Sequence, residues 1–246
     1  MMGASRGMFR LLQMPCAAAL IVASGTVSAN LVISNTRVIY NSPMHDVTVN
    51  IANVGLRPSL LQAWIDRGNP DTAPDEDDVP FTIVPPVARV NGGQSQTLKI
   101  TWNGDPLPAD RESVFYLNVM DIPPEPSGAS RSDHSYIQFA IRTRIKLFFR
   151  PQGLSGRADS AARQLVWQQI GHVVRLYNPT PFHVSINQIR DSSGRVPVSS
   201  AMGMVPPFGS SEFKLAPAAS PHKGGDLQIE SINDYGGNSV SAIHVR

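Results

Sequence analysis

Tyr136-Ile-Gln-Phe-Ala-Ile-Arg-Thr-Arg-Ile-Lys-Leu-Phe-Phe-Arg-Pro151 reads as one long strand. Ile137, Phe139, Ile141, Ile145 and Leu147 share one parity, while Gln138, Arg142, Arg144 and Lys146 share the other. Alternate side chains of a strand point to opposite faces, so the first set forms an apolar face and the second a cationic one. The run is about twice the usual strand length of roughly 5–6 residues. By itself it admits two readings. It is a core strand with a wet cationic face, or it overhangs its own sheet and lends an edge to another protein.

The segments before it are also strand-like. Leu31-Val-Ile-Ser-Asn-Thr-Arg-Val-Ile-Tyr40 is rich in β-branched residues, and Val47, Val49 and Ile51 alternate with polar or small neighbours. Leu61-Gln-Ala-Trp-Ile65, Phe81-Thr-Ile-Val84, Thr97-Leu-Lys-Ile-Thr-Trp102 and Ser113-Val-Phe-Tyr-Leu-Asn-Val-Met120 continue the series. Turn residues such as Asn91-Gly-Gly93 and Asn103-Gly-Asp-Pro106 separate them. Several short strands at this spacing predict an immunoglobulin-like sandwich. Past Pro151 the pattern restarts with 165–167, 172–177, 182–189, 212–215, 227–232 and 239–245, and no stretch carries a sustained, capped 3.6-residue period. The fold class is therefore all-β, with a first domain over 30–150 and a second over 151–246, joined where Arg150-Pro-Gln-Gly-Leu-Ser-Gly156 interrupts the strand signal.

Residues 1–29 have the layout of a secretory leader. Arg6 and Arg10 are the only charges before residue 37, an apolar stretch runs over Cys16-Ala-Ala-Ala-Leu-Ile-Val-Ala23, and small residues end at Ala29. The stretch is shorter than the ~20 residues of a spanning helix. Gln13-Met14-Pro15 makes a poor lipid-anchor motif before Cys16, so no membrane anchor is expected. Removing the leader takes away two arginines and no acid, and the formal charge falls from +2 to zero. Nothing then favours nucleic acid as a partner. The remaining 217 residues contain no cysteine, so an exported chain must be held by packed cores without disulfides.

No catalytic constellation is legible. Thiol chemistry is excluded from the processed chain, and no nucleophile elbow, phosphate loop or dinucleotide fingerprint occurs. His45, His134, His172, His183, His222 and His244 lie in separate segments without metal-ligand spacing, although His172 and His183 could meet across neighbouring strands. Asp71-Thr-Ala-Pro-Asp-Glu-Asp-Asp78 lacks the residue order of a calcium loop and reads as a solvated connection. No catalytic residue, metal or cofactor is expected, and the chain is read as a non-enzyme.

A set of ordered strings resembles the periplasmic pilus chaperones of the chaperone–usher pathway. These are Thr36-Arg-Val-Ile-Tyr40, Gln62-Ala-Trp-Ile65, Val84-Pro-Pro-Val87, the signature-like Asp110-Arg-Glu-Ser-Val-Phe-Tyr-Leu-Asn-Val-Met-Asp-Ile-Pro-Pro124, Thr143-Arg-Ile-Lys-Leu-Phe-Phe-Arg-Pro151, Asn178-Pro-Thr-Pro181 and Ile232-Asn-Asp-Tyr-Gly-Gly237. They cover nearly the whole processed chain. The resemblance implies two immunoglobulin-like domains at an angle, with a cleft between them. It implies pilus or fimbrial subunits as partners, each a sandwich lacking its last strand, and delivery to an outer-membrane usher. It also implies a donor strand carrying Ile137, Phe139 and Ile141, and a clamp for the subunit's terminal carboxylate made by Arg37 and Lys146. Glu112, Arg150 and Asp234 match a charged set that holds the two domains together. Residues 125–136 form a longish connection before the donor strand, but without cysteines the short-connection branch of the family, with three donor residues, is expected.

The function expected is thus a periplasmic, ATP-independent chaperone for pilus subunits. A structural subunit or adhesin of a surface fibre is the alternative, although such a chain would not be expected to restart a full second sandwich. A secreted β-sandwich hydrolase is a third reading, and it lacks a nucleophile–base pair.

Overall fold

The structure, a computed structural model, describes residues 30–74, 76–125, 138–191, 198, 203–214 and 225–245. Residues 1–29, where a leader is expected, Ile137, His134, His222 and most of the 125–136 connection lie outside the described residues. Nine strands build the first half: β1 (Leu31–Ile33), β2 (Arg37–Asn41), β3 (Asp46–Asn53), β4 (Ser59–Asp66), β5 (Phe81–Val84), β6 (Val87–Val90), β7 (Ser95–Trp102), β8 (Ser113–Ile122) and β9 (Ile141–Arg150). They form two sheets, ordered β1-β3-β7-β5 and β2-β9-β8-β4-β6. Between the sheets lies one apolar core, which includes Tyr40, Ile51, Leu61, Leu98, Leu117 and Leu147. Pairing is antiparallel throughout the first half except for β2 on β9, which is parallel.

The second half begins with a short helix, α1 (Ala158–Ala161), and a 3₁₀ turn over Ala162–Gln164. Seven strands follow: β10 (Val166–Ile170), β11 (Val173–Tyr177), β12 (Val184–Asp191), β13 (Gly203–Val205), β14 (Ser210–Lys214), β15 (Gly225–Ile232) and β16 (Asn238–Val245). Sheets β10-β11-β14 and β13-β12-β15-β16 enclose a second core around Trp167, Leu176, Ile189, Leu227 and Ile229. Two separate cores fit the all-β, two-sandwich prediction.

Three local readings are corrected. Residues 31–40 are two strands, because the chain leaves one sheet after Ile33 and joins the other at Arg37. Strands β6 and β13, four and three residues long, were too short to show an alternation. The long strand is described only from Ile141, with residues 138–140 exposed and irregular. The ladder explains the shortening: β8 pairs Asp121 with Ile141, and continuing that register brings Pro123 and Pro124 opposite Phe139 and Gln138. Proline has no N–H to donate, so the ladder stops there.

Candidate functional site

The parallel pairing of β2 with β9 sets the site. Arg37 opens β2 and faces Lys146 directly in the parallel register. The two side chains leave the sheet on the side opposite the first core and enter the joint between the halves. Arg37 is 8% exposed. Its Nη1 donates to the Ile232 carbonyl at 2.9 Å, and its guanidinium lies over the Phe148 ring at 5.6 Å. Its Nε is buried without a hydrogen-bond partner among the described residues. Lys146 Nζ meets Ser185 Oγ at 3.2 Å. Neither cation forms an ion pair among the described residues.

The electrostatics follow from that geometry. Burial lowers the pKa of Arg37, partly countered by the more distant charges of Asp234 and Glu112. Burial lowers that of Lys146 as well, and the charge of Arg37 lowers it further. Two desolvated cations side by side, with a donor left unused, form a site that favours an incoming anion. They sit beside a cleft of about 520 Å³, whose lining includes Arg37, Phe148, Phe182, His183, Ser185 and Ile232. Both halves therefore contribute to it.

A second charged set spans the joint. Arg150 Nε donates to Glu112 Oε1 at 2.7 Å, while its Nη1 and Nη2 form a fork onto Asp234 at 2.7 and 2.9 Å. Burial alone would lower the pKa of Arg150, but the bonds and charges of Asp234 and Glu112 outweigh it and hold the pKa above the ordinary arginine value. The other oxygen of Glu112 accepts the His183 backbone N–H at 2.7 Å and lies 3.3 Å from His183 Nδ1. His172 and His183 lead into strands of different sheets, β11 and β12, and are not brought together as a pair.

Two turns present these groups. In Asn178-Pro-Thr-Pro181 the fully buried Asn178 side chain donates to the carbonyls of Phe182 and Pro206, and its Oδ1 accepts from Thr180. This self-satisfied loop leaves the Pro181 carbonyl free to accept the Glu112 N–H at 2.9 Å. In the turn after β15, Asn233 Oδ1 accepts the N–H groups of Tyr235 and Gly237. Gly236 has φ +84°, and a Cβ there would come within 2.1 Å of Thr36 Oγ1 in the first half. Only glycine meets both demands.

The apolar row differs from the clamp. Phe139 is 59% exposed and Ile141 is half-buried at the start of β9, while Ile137 lies outside the described residues. Strand β2 covers β9 only from Lys146 to Arg150, so among the described residues the same edge over 141–145 has no strand partner. Sequence reading missed a further cluster on the cationic face. Asp66 is fully buried and accepts from Arg144 Nε at 2.9 Å and Asn118 Nδ2 at 2.7 Å, with Arg144 stacked 3.7 Å over Tyr116. Burial raises the Asp66 pKa, but these bonds bring it below the ordinary carboxylate value. The one hint in the sequence was an acid closing the apolar run Leu61–Ile65.

Comparison with known proteins gives a consistent picture. Residues 30–155 match the family model described as pili and flagellar-assembly chaperone, PapD N-terminal domain, and residues 160–242 match its C-terminal counterpart. The chain is 42% identical over 214 residues to the chaperone protein FimB/FhaD of Bordetella pertussis, covering 85% of each chain. The crystal structure of the CupB2 chaperone of Pseudomonas aeruginosa superposes with a TM-score of 0.73 at 36% identity, over 87% of this chain and 100% of that one. A structure of the Salmonella enterica SafA pilin in complex with the SafB chaperone gives a TM-score of 0.76 at 25% identity, over 89% and 97% of the two chains.

Proposed function

The chain belongs to the pili and flagellar-assembly chaperone family, and from that premise we propose that it acts in the periplasm, caps pilus subunits by lending them a strand and passes them to an outer-membrane usher. Its leader would be removed after Ala29 on export. One observation carries the mechanism: the open edge of β9 over 141–145 runs directly up to the two unmatched cations, Arg37 and Lys146. A foreign strand entering the lane next to 141–145, parallel to β9, would take backbone pairs from that edge. Its chain end would then arrive where β2 begins, placing a terminal carboxylate at Arg37 and Lys146. The fork of arginine and the point charge of lysine both suit that group.

The clamp also sets register. A strand that slips by one residue turns its apolar set to the wrong face. Anchoring the last residue therefore decides which pocket of the subunit meets Ile141, Phe139 and Ile137. Burying three such side chains gives a gross gain of roughly 5–9 kcal/mol at about 1.5–3 each, much of it offset by the cost of association. Glu112, Arg150 and Asp234 are assigned the task of fixing how the two halves face the cleft. A chaperone that captures by strand addition needs no cofactor and no hydrolysis of ATP.

Co-expression with candidate pilin subunits tests the reading. A soluble one-to-one complex is expected. It should persist with Phe139→Ile, which keeps a large apolar group, and be lost with Phe139→Asp. Undiminished capture by the aspartate variant would refute the donor assignment. Polymers of this chain itself, instead of a complex, would favour the fibre-subunit alternative.

A further inference from the structure

Among the described residues, one buried carboxylate away from the cleft lacks a counter-charge. Asp121, near the end of β8, has the parity of Phe115, Leu117 and Val119 on the core side and is 4% exposed. Its Oδ2 accepts the N–H of Asn30 at 2.8 Å and that of Leu31 at 3.1 Å. Its Oδ1 is buried with no hydrogen-bond partner among the described residues. No cationic side chain among the described residues pairs with Asp121. A buried carboxylate in that condition is costly unless a positive group satisfies it.

Asn30 is firmly seated over it. Its carbonyl accepts the Val54 N–H at 2.8 Å. Its side chain lies so close to Gly55 that a Cβ there would come within 2.3 Å of Asn30 Oδ1. The sequence independently ends the leader at Ala29. The nitrogen beside Asp121 is thus the atom that processing would convert from an amide into an amine.

We propose that Asp121 forms a binding site for a primary ammonium, and that its occupant is the chain's own amino terminus at Asn30. The proposal rests on processing after Ala29. Water adds across the Ala29–Asn30 bond, leaving a carboxylate on the leader and an amine on Asn30. An α-amino group has an ordinary pKa of about 7.7–8.0 and takes up a proton at neutral pH. One uncharged N–H donor becomes a cation with three, already within hydrogen-bond reach of Oδ2. Among the described residues the precursor offers this buried charge no counter-charge, and the processed chain supplies one. Cleavage of the leader thereby stabilises the first sandwich.

A double-mutant cycle on the processed chain tests this. Four proteins are compared: the chain starting at Asn30, the same chain with one glycine added before Asn30, and Asp121→Asn in each background. The added glycine and D121N should each shift the unfolding equilibrium on the order of tenfold or more, and the two together no more than either alone. Acylation of the Asn30 amine at pH 7, read by mass spectrometry, should be about tenfold slower in the parent chain than in D121N. Additive effects on stability, or an amine rate that D121N leaves unchanged, would overturn the proposal. The terminal mass of the full chain secreted with its own leader reads processing separately. A terminus other than Asn30 would defeat that reading, while the cycle still judges the ammonium site itself.

Discussion

Arg142, Arg144 and Lys146 alternate along the outer face of β9, and their surroundings give them different chemistry. Arg144 has a buried acid, Asp66, and a tyrosine ring beneath it. Arg142 stacks on Trp64 at 5.3 Å and donates to the Pro70 carbonyl. Lys146 has, among the described residues, only a hydroxyl partner and a neighbouring arginine. Removing its charge should therefore spare the fold and harm capture. Arg37→Ala or Lys146→Met is expected to weaken subunit binding by about 2–5 kcal/mol if the ion contact is desolvated, measured by titration against a subunit's terminal peptide. The sign of the pH effect follows from the lowered pKa of Lys146. The unfolded chain binds its proton more tightly, so the destabilisation caused by the buried charge is fully present below the folded pKa. It is relieved as pH rises toward the ordinary lysine value of 10.5. Lys146→Met should abolish that alkaline gain in stability, as read by denaturant titration at several pH values.

At the scale of the element, β9 is two strands in one. Residues 146–150 are paired on both sides, by β2 and β8, whereas 141–145 are paired by β8 alone. Backbone groups on an unpaired edge remain open to water or to another chain. Hydrogen exchange should therefore separate the two stretches. Edge-facing amides over 141–145 should exchange quickly in the free protein and become protected when a subunit binds, while those over 146–150 stay protected throughout. Equal protection of both stretches in the free protein would show that the edge is not available. The same logic explains the sharp limit of the described strand, since Pro123 and Pro124 end the β8 ladder that supports it.

For the whole molecule, the link between the halves runs through Arg150. Glu112 has 2% side-chain exposure and Asp234 has 36%, so the first contact is desolvated and the second only partly. Arg150→Met would leave the buried Glu112 carboxylate without its arginine and with only the His183 contacts, at a cost of up to about 3–5 kcal/mol, the figure for a fully buried pair, with the exposed Asp234 side adding little. The expected outcome is a lower melting temperature and a broadened distance distribution between the halves in X-ray scattering. Both cores should survive, because neither contains Arg150. An unchanged melting temperature and scattering profile would show that the charged set does not hold the joint.

Much of this was legible in the chain before any coordinates. Period-2 alternation and turn residues fixed the all-β class, since strand polarity is a local consequence of backbone geometry. The motif strings located Arg37, Lys146, Glu112, Arg150 and Asp234, whose geometry the structure then supplied. The split of residues 31–40 was not legible, because one β-branched run reads alike whether it stays in one sheet or changes to the next. Nor were Asp66 and Asp121, whose partners are distant in sequence: Arg144 lies 78 residues from Asp66, and Asn30 lies 91 residues from Asp121. The sequence by itself determined which residue types alternate and where the chain turns. Only the tertiary structure decided which charges meet an opposite charge and which are left unmatched, because burial and long-range pairing belong to the packed chain and not to any local stretch of it.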